Sequence, residues 1–364
     1  MFKNIEKNKK YIYNLSIMNN KKSIKSLTYE KLEKEILELG YKKYRAKQIY
    51  EWLYRKNVVS FEEMTNLSKD IISKLNEIYY IENFNVLSVL ESKDGTKKYL
   101  FELTSNDAIE TVLMKYNHGY TVCISSQKGC RMGCKFCAST KAKFQGNLEV
   151  SEILEQILKV ERIEDIRVSN IVFMGIGEPL DNFENVVDAL QIINDPFAIN
   201  IGARHISIST SGIVPKIYEL ADRKLQTTLS VSLHYTTDEL RSKQMPVNKA
   251  YNIGELLKAC RYYIDKTNRR ISFEYAMIDG ENDSIEDAKR LIELVKGMKC
   301  HINLIPINQI DEIKFKESKI SNILKFRDYL NEHGIVATIR RRLGEDINAA
   351  CGQLRKQKLE SLER

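Results

Sequence analysis

The sequence predicts an α/β protein: a partial parallel (βα)6 barrel, preceded by a small N-terminal helical domain and a β meander extension. Three observations predict it. From residue 120 onward, apolar β-rich runs alternate with amphipathic helical stretches, the pattern of βα repetition around a parallel sheet. The Gly-rich turn Gly175-Ile176-Gly177 follows the second such run and lacks the GxGxxG spacing, which favours a partial barrel over a dinucleotide-binding sheet. The polar motifs fall at the C-terminal ends of the runs, the face on which parallel barrels assemble their sites.

Residues 1–26 read as a basic tail. Met18 opens MNNKKSIKSLTYEKL, so the native chain is expected to begin there or to carry a disordered basic extension. Residues 27–82 form the helical domain. Leu32, Ile36 and Leu39 recur at helical spacing behind a Thr28 cap and stop at Gly40; two further helices span 45–56 and 68–80, the second behind Ser68. Residues 83–116 change period, and NVLSVLES, the turn Asp94-Gly95, TKKYLFEL, a polar turn at 105–107 and AIETVLMKY read as an antiparallel meander. The core, 117–346, holds strand candidates TVCIS, NIVFM, HISIS, TTLSVSLH, ISFEYAMI, HINLIPIN and IVATIR, with SEILEQILKVERI, FENVVDALQII and SIEDAKRLIELV among the helices between them. Residues 347–364 are a C-terminal segment with a cysteine loop, AACGQL.

With 364 residues, 43% of them hydrophobic, the chain can bury a large core. No run reaches the length of a membrane span, and the start lacks the apolar stretch of a signal peptide. Seven cysteines, an odd number clustered rather than paired, fit a reducing cytoplasm. The net charge of +8 is local: residues 1–60 carry 15 Lys/Arg against 6 Asp/Glu, so the remainder is close to neutral. Such an excess suits a polyanion-binding domain or, alternatively, a solvated Lys-rich surface.

Cys130, Cys134 and Cys137 in CRMGCKFC make a ligand set one short of four, with an open coordination position for a substrate or cofactor. Structural zinc would need a fourth ligand nearby, and His118, His205, His301 and His333 form no metal spacing. Cys260 and Cys300 read as small core hydrophobes. Gly175 and Gly177 permit close backbone approach and Glu178 can accept from an ammonium group, although a plain βα turn would also use these glycines. Ser209 and Ser211 could equally be helix caps, and His234 a satisfied core histidine.

The CxxxCxxC spacing with an aromatic before its last cysteine resembles the radical S-adenosylmethionine (SAM) superfamily, in which a 4Fe-4S cluster on three cysteines offers its open iron to SAM. The resemblance becomes closer over the whole chain. CISSQKGCRMGCKFCAST, FMGIGEPLDN, ISTSG, SLH, MPVN, LIPIN and GEDINAACGQLR, in this order, resemble the RlmN family of adenine C2-methyltransferases of 23S rRNA and tRNA, from about residue 28 to 357. Two positions depart from that pattern: Gly146-Asn147-Leu148 stands for Arg-Asn-Leu, and Asn348 for Asp.

The resemblance implies a radical SAM barrel and a mechanism using two SAM molecules. Cys130, Cys134 and Cys137 would hold the cluster; Gly177, Glu178, Ser209, Ser232, Leu233, His234 and Asn308 would contact SAM. Cys351 would carry a methyl group, Cys123 would release the product by forming a disulfide with Cys351, and Glu110 would accept the C2 proton. It further implies methylation of the peptidyl transferase centre adenine and of the adenine 3′ to the anticodon, with the basic helical domain holding folded RNA by its phosphates. A flavodoxin- or ferredoxin-type electron donor, a monomer and a cytoplasmic location are expected. A Cfr-like C8-methyltransferase of 23S rRNA is the nearest alternative, and a zinc-bound, non-catalytic RNA-binding protein a more distant one.

Overall fold

The computed structural model describes residues 21–354 apart from 106, 141–142, 309–314 and 351. The basic tail through residue 20, Met18, Cys351 and residues 355–364 lie outside the described residues.

Ten strands among the described residues form one sheet. From one edge they run Ala337–Ile339, Cys300–Pro306, Ile271–Met277, Thr228–Ser232, Ile206–Thr210, Val168–Phe173, Gly119–Cys123, Ala108–Tyr116, Lys97–Glu102 and Asn85–Glu91. The first seven pair in parallel and the last three in antiparallel fashion. Helices cross between successive parallel strands, giving the partial (βα)6 barrel, which ends in a short edge strand. The meander is therefore an extension of the barrel sheet, and Val112 pairs with Cys123 across the junction. Strand Ile271–Met277, third from the edge, has its residues buried or nearly so, one face against the helices and the other, with Glu274 and Ala276, toward the barrel interior.

Three helices, Tyr29–Glu38, Tyr44–Tyr54 and Lys69–Ile78, make up the N-terminal domain. The backbone N–H of Lys31 donates to Thr28 Oγ1, and Gly40 takes a positive φ just past the helix end, so the first helix is bounded by the residues its sequence offers for that purpose. One continuous apolar core joins this domain, through Leu32, Ile36, Leu53 and Leu75, to barrel residues such as Ile153, Ile157 and Leu190. Polar contacts fix the docking. Buried Lys25 donates from Nζ to Glu155 Oε2 at 2.6 Å and to the Glu82 carbonyl at 2.9 Å, and Asn57 Nδ2 donates to the Leu158 carbonyl at 2.8 Å. Desolvation holds the Lys25 ammonium below its ordinary range, and Glu155 opposes that shift.

Candidate active site

The cysteine trio lies on the loop between strand Gly119–Cys123 and helix Val150–Glu164, at the C-terminal edge of the parallel sheet. Gly129 and Gly133 adopt φ of +86° and +75°; a Cβ at Gly129 would sit 2.6 Å from the Lys143 carbonyl oxygen, so the loop closes on itself only with glycine there. Arg131 pins the loop from outside, its Nε and Nη2 donating to the two Asp181 carboxylate oxygens at 2.8 and 2.6 Å. Burial pushes the Cys130 thiol up to about 12 and the Cys134 thiol up as well. Bound to a metal-bearing group, the same sulfurs would be thiolates at neutral pH.

All three cysteines line one cavity of about 180 Å³. Gly177, Glu178, Ser209, Ser232, His234 and Asn308 line it too, so the strand-end motifs separated by more than 130 residues of sequence converge on the trio. Gly175 and Gly177 make the wall: a Cβ at Gly175 would fall 2.7 Å from the Ile124 carbonyl oxygen, and one at Gly177, where φ is +109°, 2.6 Å from Gln127 Cβ. Buried Glu178 accepts from Leu180 N at 3.0 Å and from Ser211 N at 2.6 Å, while burial raises its carboxyl against those hydrogen bonds. His234 Nδ1 accepts from the Ala276 N–H at 3.0 Å, so its proton sits on Nε2; burial, then the Arg241 charge, lower its pKa to about 3, and it stays neutral. Its ring meets that of Phe136, from the cysteine loop, edge to face at 5.0 Å. Leu233 differs from its motif neighbours: its side chain is wholly buried in the apolar core, and only its backbone belongs to this loop.

Arg241, which carries no motif, organises these loops. Wholly buried, it donates to the Leu233 and Ser232 carbonyls at 3.1 Å each, the Ser211 carbonyl at 2.7 Å and Asn248 Oδ1 at 2.8 Å, tying ISTSG, SLH and MPVN together. Desolvation lowers its pKa to about 10, still a cation at neutral pH. Ser211 also lines the cavity, with its Oγ buried next to Glu178.

A second cavity of about 40 Å³ adjoins the first through Met174, Ile305, Asn308 and Arg340. Cys123 lines it, as do Ala349 and Ala350, the residues just before Cys351 in sequence; Cys351 itself is outside the described residues. The C-terminal segment is tied down at both ends. Asp346 accepts from Ser92 Oγ and from Lys93 N at 3.2 Å, Asp94 Oδ2 accepts from Gly344 N at 2.9 Å, and the Gly352 carbonyl accepts from Ala138 N, beside Cys137, at 2.8 Å. Glu110, on the same strand face as Val112 of the second cavity, is buried with Lys98 Nζ 3.2 Å from its Oε1.

Gly146 takes a φ of +143°, in a two-residue strand with Asn147 that pairs with Gln127–Lys128. Asn348 is left-handed at φ +51°, a conformation asparagine tolerates well.

The donor set fits an iron-sulfur cluster with SAM. Among the described residues no three His, Cys, Asp or Glu are placed to hold a single metal ion.

The Radical SAM superfamily matches residues 124–294, and the ribosomal RNA large subunit methyltransferase N-terminal domain matches residues 23–81. The chain is 54% identical over 315 residues to the probable dual-specificity RNA methyltransferase RlmN of Clostridium novyi, covering 86% of this chain and 92% of the relative. The chain belongs to the RlmN family. The corresponding Staphylococcus aureus RlmN is 51% identical over 316 residues, covering 86% and 87% of the two chains. A radical SAM methyltransferase from Sphaerobacter thermophilus has the same fold, with a TM-score of 0.87 at 40% identity over 92% of this chain and 99% of that one. RlmN membership favours neither the C8 alternative nor a zinc-bound binding protein. No helix among the described residues is long and apolar enough to cross a membrane.

Within this RlmN-family site, sequence reasoning brought together the trio, Gly177, Glu178, Ser209, Ser232, His234 and Asn308. It missed Arg241, Gln127 and Lys98. Gln127 accepts from Glu178 N and donates to Asp181 and Asn147, each at 2.8 Å. Its position three residues before Cys130 was the available signal; a buried arginine in DELRSKQ offered none.

Proposed function

We propose that this chain methylates C2 of an adenine in 23S rRNA and of the adenine 3′ to the anticodon in tRNA, through a methyl-cysteine on Cys351. The observation that carries this reading is the adjoining pair of cavities: one lined by the cysteine trio and the polar strand-end set, the other by Cys123 and the residues leading into Cys351. C2 lies between two ring nitrogens and is electron-poor, so it cannot attack the methyl of SAM as a nucleophile. A polar transfer is blocked, and carbon-radical chemistry is the remaining route.

In this reading Cys130, Cys134 and Cys137 hold a 4Fe-4S cluster, and Gly177, Glu178, Ser209, Ser232, His234, Asn308 and the Leu233 backbone hold SAM. Cluster and SAM, when bound, supply a carbon radical able to take one hydrogen from the methyl group on Cys351. The chain's own residues do the rest. Cys351 keeps the one-carbon unit covalently bound until it has joined C2. After addition the adduct must give up one electron, which the oxidised cluster, when bound, would accept, and Glu110 receives the proton from C2. Cys123 thiolate attacks the Cys351 sulfur, the S–C bond breaks, and its electron pair leaves with the carbon, which takes a proton to become the methyl product; the two cysteines end as a disulfide for reduction. The helical domain would meet RNA phosphates with the lysines and arginines of residues 42–56, which positions the substrate without reading its sequence. A cytoplasmic monomer served by a flavodoxin- or ferredoxin-type donor fits these requirements.

Replacing Cys123 tests the assignment. Cys123→Ala retains the acceptor and permits addition to C2, so the protein is expected to purify with RNA attached through Cys351, seen as a nuclease-sensitive shift on a denaturing gel. Normal turnover without a crosslink would remove the resolving role from Cys123.

A further inference from the structure

Lys98 occupies a place that no motif marks. It lies on strand Lys97–Glu102 opposite Val112, two pairs away from the Leu100–Glu110 pair, so its side chain shares a face with that of Glu110 and lies diagonally across the ladder from it. Both are nearly inaccessible, at 8% and 2% exposure. The Lys98 ammonium is 3.2 Å from Glu110 Oε1 and donates to the Asn348 carbonyl at 3.1 Å. One cation therefore touches both the buried carboxyl and the chain three residues before Cys351.

A carboxylate this deeply buried is forced toward its protonated form unless an opposite charge stands against it. A protonated Glu110 has no capacity to take another proton. We infer that Lys98 is a positioning residue of the reaction: it keeps Glu110 ionised as the proton acceptor and sets the carboxylate beside the segment that carries Cys351. The inference rests on the role proposed above for Glu110. In the step concerned, the RNA–Cys351 adduct gives up its unpaired electron, which the oxidised cluster would take back; its C2–H bond breaks, the proton passes to a Glu110 carboxylate oxygen, and the bonding pair stays on the adenine ring. Lys98 itself exchanges no proton with substrate. The left-handed backbone of Asn348 turns that carbonyl toward the meander, and the Asp346 and Gly344 ties to residues 92–94 hold the approach.

The test compares Lys98→Met, Lys98→Arg and Glu110→Gln in the full-length holoenzyme, reading methylation of Cys351 by intact mass, protein–RNA adduct on denaturing gels, and methylated RNA. Lys98→Met is expected to methylate Cys351, to lose turnover by roughly 10²-fold, the scale of a lost general base, and to accumulate adduct as Glu110→Gln does. Lys98→Arg, which keeps the charge, is expected to recover most of the turnover without adduct. A structural defect alone would lower Cys351 methylation and leave no adduct, and that result overturns the proposal, as does Lys98→Met turnover within about threefold of wild type. If Lys98→Met does not fold, Lys98→Gln, uncharged but able to donate to the Asn348 carbonyl, takes its place with the same expectations. Adduct in Glu110→Gln but not in the Lys98 variants overturns the role of Lys98 alone; absence of adduct from Glu110→Gln overturns the acceptor role of Glu110 first.

Discussion

Cys130, Cys134 and Cys137 tolerate no substitution if they hold the cluster. Each replacement by Ala is expected to abolish the brown absorbance of anaerobically reconstituted protein and its SAM cleavage, because a three-thiolate site has no spare ligand; a full iron and sulfide complement in any of the three would contradict the assignment. Arg241 is the opposite kind of residue, invisible in sequence and central in space. Arg241→Met strands four oxygen acceptors of the SLH, ISTSG and MPVN loops. It is predicted to cost about 3–5 kcal/mol in urea unfolding and to weaken SAM binding by isothermal titration. Unchanged affinity would show that the loops hold their shape without it. The contrast explains what was legible. Thiols and glycines have few alternative uses at such spacings, so the trio and Gly177 were readable. A buried arginine satisfied by main-chain carbonyls needs the three-dimensional positions of its acceptors before it can be recognised.

Strands and helices of the barrel follow their sequence patterns closely because buried β-rich runs and amphipathic helices have different periods. HISIS becomes strand Ile206–Thr210, and FENVVDALQII becomes helix Phe183–Asn194. What local pattern could not reveal is how the elements meet. The meander read as an extension without a stated partner; it lengthens the barrel sheet through Cys123, and its Asp94-Gly95 turn anchors the C-terminal segment 250 residues away. Those ties are long-range hydrogen bonds from Ser92, Lys93 and Asp94, residues that in sequence look like ordinary turn formers. Asp346→Ala removes two of them. It is predicted to hasten tryptic cleavage in the Arg340–Arg342 stretch and to lower turnover by about tenfold, while cluster content stays constant; unchanged proteolysis would show that the meander does not anchor this segment.

The N-terminal domain is held to the barrel by a shared core and a buried charge network. Glu82 lies in that network with its carboxyl raised to about 7, by desolvation first and then by Glu152 and Glu155. A carboxyl that binds its proton more tightly in the fold gives stability that is full below its unfolded value of about 4.5 and is lost as pH rises through 7, in total roughly 3 kcal/mol. Glu82→Gln should remove this loss, so urea-unfolding curves of the two proteins are expected to diverge between pH 5 and 8, the variant becoming relatively more stable; parallel curves would contradict the burial argument. A helical domain packed onto a barrel whose cavity bears the trio fits the whole molecule as an enzyme that acts on RNA. The measurement that tests this most directly is mass spectrometry of adenines from RNA treated with the reduced holoenzyme and SAM carrying a trideuterated methyl group. The account predicts 2-methyladenosine containing two deuteriums, because one leaves with the radical and the last hydrogen comes from a proton. A methyl retaining all three deuteriums, or one at C8, would contradict it.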